Sequence, residues 1–301
     1  MTLRPPRDDE FDAMLELMNA HQLAAFGEAD ATADDLRNWL TAPSVDVERD
    51  IRVLERDGRL VGYADVDATH EDPPLWWCDV KVAPDASCDD VVPTLVAWLD
   101  ERAVRGRLRV WSAADDARIV DAFAALGFEP VRHSYRMEIA LDGAEREPSW
   151  PAGITVRTVA EGEQRLVHSA MVEVWEDTND PFDETFEEWA HWHVGRPSYD
   201  PSLWFLAFAG DELAGFSVSA QDSLDAGAGH VAILGVRRPW RRRGIGEALL
   251  LRSFAEFRRR GYIRGTLGVD ASSLTGATRL YERVGMRAYR DTLFLERPVR
   301  G

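Results

Sequence analysis

The sequence carries the same pattern of secondary-structure signals in its two halves, and this internal duplication constrains the fold more than any other feature. Residues 51–69 (IRVLERDGRLVGYADVDAT) and 203–221 (LWFLAFAGDELAGFSVSAQ) each indicate a strand, a tight glycine turn and a second strand. Each stretch has a Leu-x-Gly at the start of its second strand, and the two copies are 153 positions apart. A chain of 301 residues is long enough for two domains of ordinary size. We therefore expect two domains of one fold in tandem.

A second repeated signal marks the end of each half. The stretches DARIVDAFAALGFEP and GATRLYERVGMRA indicate amphipathic helices that end at Gly127 and Gly285, because glycine favours the left-handed backbone that closes a helix. A strand pattern follows each of these glycines. Residues 143–152 are polar and contain two prolines, which is typical of a linker. The predicted domains are therefore 1–142 and 153–301.

The order of the predicted elements indicates an α/β fold of the mixed α+β kind. Early hairpins and a later strand–helix–strand unit predict, in each domain, a mixed, mostly antiparallel sheet flanked by helices. In the second half we predict helices near 161–177, 184–194, 245–260 and 275–284. We predict strands near 154–158, 203–208, 213–220, 230–236, 263–268 and 287–295.

The stretch Arg241–Gly246 (RRRGIG) is the clearest candidate for a ligand site. The chain has a formal charge of -18, yet residues 237–264 hold ten arginines against two acids. A helix N-terminus leaves about four amide groups unpaired and carries roughly half a positive charge. The glycines at 244 and 246 let phosphate oxygens approach the backbone closely. Together these features predict an anion cradle suited to a diphosphate.

Two better-known phosphate motifs do not match this stretch. No Gly-Lys-Ser/Thr follows the glycines, so it is not a Walker loop. The third glycine of a dinucleotide fingerprint is Leu249 here, and no strand ending in an acid lies about twenty residues further on. The general acidity of the chain also argues against broad nucleic-acid binding, which needs a positive surface.

The second half resembles the GCN5-related N-acetyltransferase (GNAT) family. The strand VAILGVRRP, the Arg-x-x-Gly-x-Gly that follows it and the late helix ATRLYERVGM match the family's pattern over 153–301, and the first half repeats the layout. The two-domain arrangement is similar to that of mycothiol synthase. The resemblance implies two tandem GNAT-like domains and acetyl-CoA as acyl donor, with no metal. The implied acetyl-CoA-binding residues are Leu234, Gly235, Val236, Arg241, Arg242, Arg243, Gly244, Ile245, Gly246, Glu247 and Ser273, the last of which is often asparagine in the family.

The same resemblance implies the catalytic groups. Tyr281 matches the tyrosine that protonates the departing CoA thiolate. The alternative is a tyrosine whose ring packs in the core and whose hydroxyl reaches solvent. A base must also take a proton from the amine, and His230, at the start of its strand, is a candidate because an imidazole titrates near pH 6.5. The alternative for His230 is an ordinary hydrogen bond at a strand end. Glu173 and His193 are the rival bases.

The stretch 172–193 (VEVWEDTNDPFDETFEEWAHWH) is the predicted substrate rim, as the resemblance implies for the segment between the first two helices. Carboxylates beside aromatic faces suit a cationic amine. The candidate substrate-binding residues are Trp175, Asp177, Asp180 and Trp192. The alternative is a charged helix face with core tryptophans. The spacing of the acids does not match a calcium loop, since the required glycine is missing.

The first half has lost the chemistry of the second. Its stretch VAPDASCDDVVPTL (82–95) stands in place of the arginine- and glycine-rich loop and contains neither residue type. Counting back four residues from the matching glycines, Phe123 occupies the position of Tyr281. We therefore expect domain 1–142 to be degenerate and domain 153–301 to be catalytic.

Three function classes follow. The first is acetyl-CoA-dependent N-acetylation of a small, cationic amine by direct transfer in the C-terminal domain. The second is a non-catalytic acyl-CoA-binding or regulatory module, and the third, transfer from aminoacyl-tRNA, does not suit the acidic charge. We expect no nucleic-acid or membrane partner and a monomer or homodimer. Two cysteines, no long apolar run and an acidic N-terminal stretch predict a cytoplasmic protein.

Overall fold

The computed structural model describes residues 1–143, 146–178, 184–196, 198–272 and 276–300 and divides into two compact units. The first unit comprises Met1–Ser134 and the stretch from Arg290 onward; the second comprises Tyr135–Tyr289. These units do not coincide with the predicted boundaries at 142 and 153. The difference arises because each unit takes its last strand from the other half of the sequence.

The first unit is a mixed sheet with helices. Its strands pair in the order β1-β2-β3-β4-β5-β12, and only β4 and β5 are parallel. The elements are β1 (Thr2–Arg4), α1 (Phe11–Phe26), α2 (Ala33–Leu40), α3 (Val47–Asp50), β2 (Ile51–Arg56), β3 (Arg59–Ala68), β4 (Leu75–Val82), α4 (Cys88–Arg102), β5 (Arg107–Ala113), α5 (Ala117–Ala125), the beginning of β6 (Glu129–Ala140) and most of β12 (Arg287–Pro298).

The second unit has the same order of strands, β7-β8-β9-β10-β11-β6, in which β10 and β11 are parallel. Its elements are β7 (Ile154–Thr158), α6 (Gln164–Trp175), α7 (Phe186–His193), β8 (Phe205–Ala209), β9 (Glu212–Gln221), β10 (Ala228–Val236), α8 (Ile245–Arg259), β11 (Arg264–Asp270) and α9 (Ala277–Arg283). The predicted helices and strands of the second half are confirmed, with ends shifted by a few residues. The predicted fold class, two tandem units with mixed sheets, is also confirmed.

The sixth strand of each sheet packs into the core of the unit that receives it. Leu293 and Leu295 of β12 are buried among the apolar side chains of the first unit. In the second unit, Met137 of β6 and Leu141 just after it are buried in the core. Each unit therefore depends on a strand that the duplicated pattern assigns to the other half.

Two glycines set the depth at which α8 lies on the sheet of the second unit. A Cβ at Gly229 of β10 would lie 2.4 Å from the Phe257 ring, and one at Gly265 of β11 would lie 2.9 Å from the Phe254 ring. Both phenylalanines are fully buried. Because a methyl group at either glycine would displace a packed ring, these close approaches fix α8, and with it the loop that precedes it.

Candidate active site

The loop between β10 and α8 has the backbone of an anion cradle. Gly244 is the N-terminal cap of α8 and has a φ of 88°, in the left-handed region that glycine adopts without strain. Arg242 is also left-handed, with a φ of 60°, which costs a non-glycine residue about 1–2 kcal/mol. The first turn of α8 leaves its amide N–H groups without intrahelical acceptors. The loop therefore directs both charge and N–H groups to one place, as the sequence predicts.

This loop forms one wall of a cavity of about 560 Å³ in the second unit. The end of β10 and helix α9 form other walls. The cavity is lined by Val174, Asp177, Leu234, Val236, Trp240, Arg241, Arg242, Gly244, Ile245, Gly246, Glu247, Gly276, Ala277, Leu280, Tyr281 and Arg283. Most of the predicted acetyl-CoA-binding residues are therefore brought together around one space.

Arg241 of this loop has a buried donor that makes no hydrogen bond to the described residues. Its Nε donates to the carbonyl oxygen of Val236 at 2.9 Å, and its Nη1 donates to Asp177 Oδ2 at 2.6 Å. Its Nη2 is buried and has no hydrogen-bond partner among the described residues. A buried, unsatisfied guanidinium nitrogen costs about 1–3 kcal/mol or more. An anion in the cavity would satisfy it.

β10 is open on one side where it passes the cavity. Its parallel ladder with β11 ends at Val231 and Leu267, whereas its antiparallel ladder with β9 continues to Val236. A bulge falls between Val231 and Ile233 in β10. Beyond it, Leu234 and Val236 line the cavity. Gly235 does not line the cavity. A Cβ at this position would point into the core instead, where it would lie 2.4 Å from the buried Phe216 ring.

Tyr281, on α9, also lines the cavity, and only 8% of it is exposed. Its hydroxyl makes no hydrogen bond with any residue in the described part of the chain. Burial raises the pKa of this phenol to about 12. The hydroxyl is therefore a protonated donor with no acceptor among the described residues, and it lies at the cavity that the Arg241–Gly246 loop also lines.

Two acids of the predicted substrate rim, Asp177 and Glu173, pair with arginines of the donor loop, residues 237–244 between β10 and α8. Asp177 accepts from Arg238 at 2.8 Å through both of its oxygens as well as from Arg241. The hydrogen bonds from Arg238, and then those from Arg241, hold the pKa of Asp177 well below its usual range. Glu173 accepts from Arg237 Nε at 2.6 Å. The structure thus places both acids beside the cradle.

Three further predicted residues, Trp175, Trp192 and Arg243, are not among those that line the cavity. Trp175 packs partly buried against the core of the second unit, and Trp192 contacts the His191 ring edge-on, with 5.3 Å between ring centroids. The exposed Arg243 is not among the lining residues. Asp180 and Ser273 fall outside the described residues.

His230 is held in a polar network at the start of β10, away from the cavity lining. Its Nδ1 lies 2.9 Å from Thr266 Oγ1, and Thr266 in turn donates to Asp222. Burial, followed by the positive charge of Arg136, lowers the pKa of His230 to about 4. Burial likewise depresses the pKa of the rival base His193 to about 4. Thr266 and Asp222 were not predicted, because no local motif reveals a contact set by strand register.

In the corresponding region of the first unit, the described side chains contact one another. Val82, at the end of β4, donates its N–H to Nδ1 of the buried His21 at 3.1 Å. Asp85 pairs with Arg59 at 2.8 Å. Phe123 is fully buried and packs on Phe128, with 5.3 Å between ring centroids. These contacts accord with the prediction that the first half is degenerate, a prediction on function that stays untested.

Comparisons with known proteins identify the class of protein to which this fold belongs. The model of the acetyltransferase (GNAT) family matches residues 168–286. A GCN5-related N-acetyltransferase from Sphaerobacter thermophilus is 30% identical, with a TM-score of 0.80 over 100% of this chain and 96% of that one. The chain belongs to the GNAT family, and it is an N-acetyltransferase with two GNAT-like units in tandem.

Mycothiol acetyltransferases are among the curated relatives, as the two-domain resemblance predicted. The protein of Geodermatophilus obscurus is 29% identical over 79% of this chain and 78% of its own length. That of Streptomyces coelicolor is 25% identical over 97% and 93%. A tandem GNAT protein from the clavulanic acid biosynthesis pathway shares the fold at 18% identity, with a TM-score of 0.79 over 100% of this chain and 99% of that one.

The cavity fits the acetyl-CoA that this family uses as acyl donor. The unsatisfied Nη2 of Arg241 and the first-turn amides of α8 suit the diphosphate, and the open edge of β10 suits the amide-containing arm. Among the described residues, no group of three or more His, Cys, Asp and Glu side chains could hold a metal ion. Within the same residues, no helix combines the length and apolarity needed to cross a bilayer.

Proposed function

We propose that the second unit transfers an acetyl group from acetyl-CoA directly to the primary amine of a small molecule. The observation that carries this proposal is that Tyr281 and the Arg241–Gly246 loop line one cavity. The loop supplies the charge that a diphosphate needs. The tyrosine supplies a proton where a thiolate would leave. The first unit, in this proposal, has no acetyl-CoA site of its own.

The proposed reaction needs two proton transfers and no covalent enzyme intermediate. The neutral amine nitrogen attacks the thioester carbon, a C–N bond forms and the C–S bond breaks. Tyr281 donates its proton to the departing sulfur, since a thiol of pKa about 8.5 leaves more easily when its charge is neutralised. A backbone N–H near Leu234 polarises the carbonyl. His230, which lies outside the cavity lining on β10, accepts the amine proton through intervening water.

Of the candidate bases, His230 is favoured over Glu173 because the Glu173 carboxylate is already paired with Arg237. The pairing of Asp177 with Arg238 and Arg241 also removes the most direct support for a positively charged acceptor. Relatives named mycothiol acetyltransferases act in thiol metabolism by their name, so a cysteinyl amine belongs in the test set. We therefore propose a small-molecule amine and keep its positive charge as a separate question for the assay.

The test has two stages on the purified full-length chain. Calorimetric titration with acetyl-CoA should give one site per chain, and Arg241→Ala should weaken binding at that site. A release assay for free CoA thiol should then show turnover with at least one member of a panel of polyamine, amino-sugar and cysteinyl amines. Binding without turnover on any amine would favour the non-catalytic acyl-CoA-binding module. Two sites per chain would show that the first unit is not degenerate.

A further inference from the structure

We propose that Thr266 and Asp222 are positioning residues that fix His230 in the tautomer carrying its proton on Nδ1, so that Nε2 is left as the proton acceptor. This inference rests on the proposed function in one respect, the role of His230 as base. The tautomer itself is a property of the folded chain and is independent of any substrate.

The three side chains come from neighbouring strands of the second unit. His230 of β10 and Thr266 of β11 are register partners in the parallel ladder. Asp222 directly follows β9, whose last residue, Gln221, pairs with Gly229. The distances are 2.9 Å from His230 Nδ1 to Thr266 Oγ1 and 3.9 Å from His230 Nδ1 to Asp222 Oδ2. The hydroxyl therefore lies between the imidazole and the carboxylate.

The direction of each hydrogen bond follows from the charge on Asp222. Burial is the largest single influence on Asp222 and opposes its ionisation, but the lowering influences together exceed it, so the pKa of Asp222 is lowered. The strongest of these is the guanidinium of Arg136, whose Nη2 lies 2.6 Å from both carboxylate oxygens. The Leu224 N–H also donates to Asp222 at 2.9 Å. An ionised carboxylate only accepts, so the single proton of the Thr266 hydroxyl is donated to Asp222. Thr266 Oγ1 is then an acceptor toward His230, and Nδ1 must carry a proton.

Nε2 is the ring nitrogen of His230 that is available to accept a proton. No hydrogen bond of Nε2 is found within the described part of the chain, and about a quarter of the His230 side chain is exposed. The charged groups that face the imidazole are Asp222, Arg136 and Arg196. Burial and the two arginines together keep the ring neutral at neutral pH. A neutral imidazole with Nδ1 protonated has its lone pair on Nε2, as a base requires.

The Thr266 hydroxyl makes a hydrogen bond with His230 Nδ1, whereas the Asp222 carboxylate, 3.9 Å from Nδ1, is too far away to make one. With Asp222 held by Arg136, the Thr266 hydroxyl is the only group within hydrogen-bond reach of Nδ1 among the described residues. Removing it would leave no acceptor to select between the two tautomers. Restoring a hydroxyl without the methyl group, as in Thr266→Ser, would restore the selection.

The decisive experiment is a nitrogen-15 NMR measurement on the labelled full-length chain, in which the two ring nitrogens and their protonation are read from the imidazole pattern. His230→Gln assigns the signal by its loss. The expected result is a neutral ring with the proton on Nδ1 in the wild type, a loss of that preference in Thr266→Val and its recovery in Thr266→Ser. A wild-type ring with the proton on Nε2 would overturn the inference, whatever the activity.

Kinetics provide the second readout on the amine that the panel identifies. Thr266→Val should lower kcat by about tenfold or more with little change in KM for acetyl-CoA, and Thr266→Ser should recover most of it. Equal kcat in wild type and Thr266→Val, with the tautomer changed, would overturn the role of His230 as base. An absence of turnover in the wild type would instead overturn the proposed function, and the NMR result would still decide the tautomer.

Discussion

Nη1 of Arg241 lies 2.6 Å from Oδ2 of Asp177, so the Asp177 carboxylate neutralises part of the positive charge that the donor loop presents to the cavity. A diphosphate entering this cavity has to compete with Asp177 for Arg241. We predict that Asp177→Asn tightens acetyl-CoA binding by roughly two- to fivefold, the scale of an exposed ion pair. Calorimetric titration at low and high salt would measure it, and the difference should shrink at high salt.

The matched control for Asp177→Asn is Glu176→Gln. Glu176 also pairs with Arg238, at 3.0 Å, but it is more exposed and does not line the cavity. Its substitution should change acetyl-CoA affinity little. Acid should not mimic Asp177→Asn, because the pKa of Asp177 is held low by Arg238 and Arg241 and the group stays ionised through the working range. Weaker binding by Asp177→Asn would show that Asp177 supports the donor site.

Arg241→Ala should weaken acetyl-CoA binding by roughly tenfold to a hundredfold, the scale of hydrogen bonds to a charged group. The reason is the unsatisfied Nη2 described above, which the ligand's anion would engage. Arg259→Ala is the control, since Arg259 lies at the far end of α8 and pairs with Glu256 at 2.6 Å. Equal losses in the two variants would point to general charge attraction and exclude a specific contact.

Tyr281→Phe should lower kcat by about a hundredfold or more while leaving acetyl-CoA affinity nearly unchanged, because only the proton donor is removed. Since burial raises the pKa of Tyr281 to about 12, its hydroxyl stays protonated well above pH 10. The wild-type rate should therefore show no alkaline loss near pH 10 from this group. A pH–rate profile of both proteins checks the assignment, and a fully active Tyr281→Phe would remove it.

His21 should make the first unit sensitive to mild acid. Burial, and then the neighbouring Lys81 charge, lowers its pKa to about 3, whereas the unfolded chain binds the proton near pH 6.5. Between these values the unfolded state holds more protons, so stability falls as pH falls, by up to about 1.4 kcal/mol per pH unit. In thermal unfolding measured from pH 7 to 4.5, the stability of His21→Asn should depend less on pH than that of the wild type. The asparagine side-chain oxygen can still accept the hydrogen bond from the Val82 N–H. His133→Asn is the control, because the His133 side chain is exposed.

Leu295→Ala tests the strand that the first unit receives from the end of the chain. Leu295 is fully buried in that unit's core, and β12 pairs with β5. The loss should be about 2–5 kcal/mol. Hydrogen exchange should then accelerate in residues 107–113 and stay unchanged in α8. Val131→Ala, at an exposed site of the same unit, should change stability by under about 0.5 kcal/mol. Faster exchange in α8 alone would contradict the assignment of this strand.

The sequence was enough to predict the elements of the second half and the cavity loop, because both depend on local signals. Apolar periodicity places α8, and the glycines at 244 and 246 mark its start. The helix that carries Tyr281 follows from the same reasoning, since Gly285 marks its end, whereas the choice of Tyr281 as a site residue came from the resemblance to the family. The lining residues Ala277 and Leu280 share its helix and could have been inferred from helical spacing.

The ion pairs and the strand exchange could not be predicted in this way. Asp177 meets Arg241 across 64 positions, and Arg136 meets Asp222 across 86, through packing that has no local signature. The final strands of the two halves, 131–141 and 288–298, carry similar patterns, and a pattern does not specify which sheet a strand joins. Duplication therefore predicted two like domains while concealing which strand completes each.

The placement of β12 also sets an order of events during synthesis. The strands β1 to β5 leave the ribosome first, but the strand that covers β5 in their sheet is made only after the whole second unit. Until then the edge of β5, with its unpaired backbone groups and the apolar surface that Leu293 and Leu295 later cover, stays open. The usual sequence in which an N-terminal domain folds before its neighbour is made is thereby reversed. The first unit to be translated is the last that can be completed.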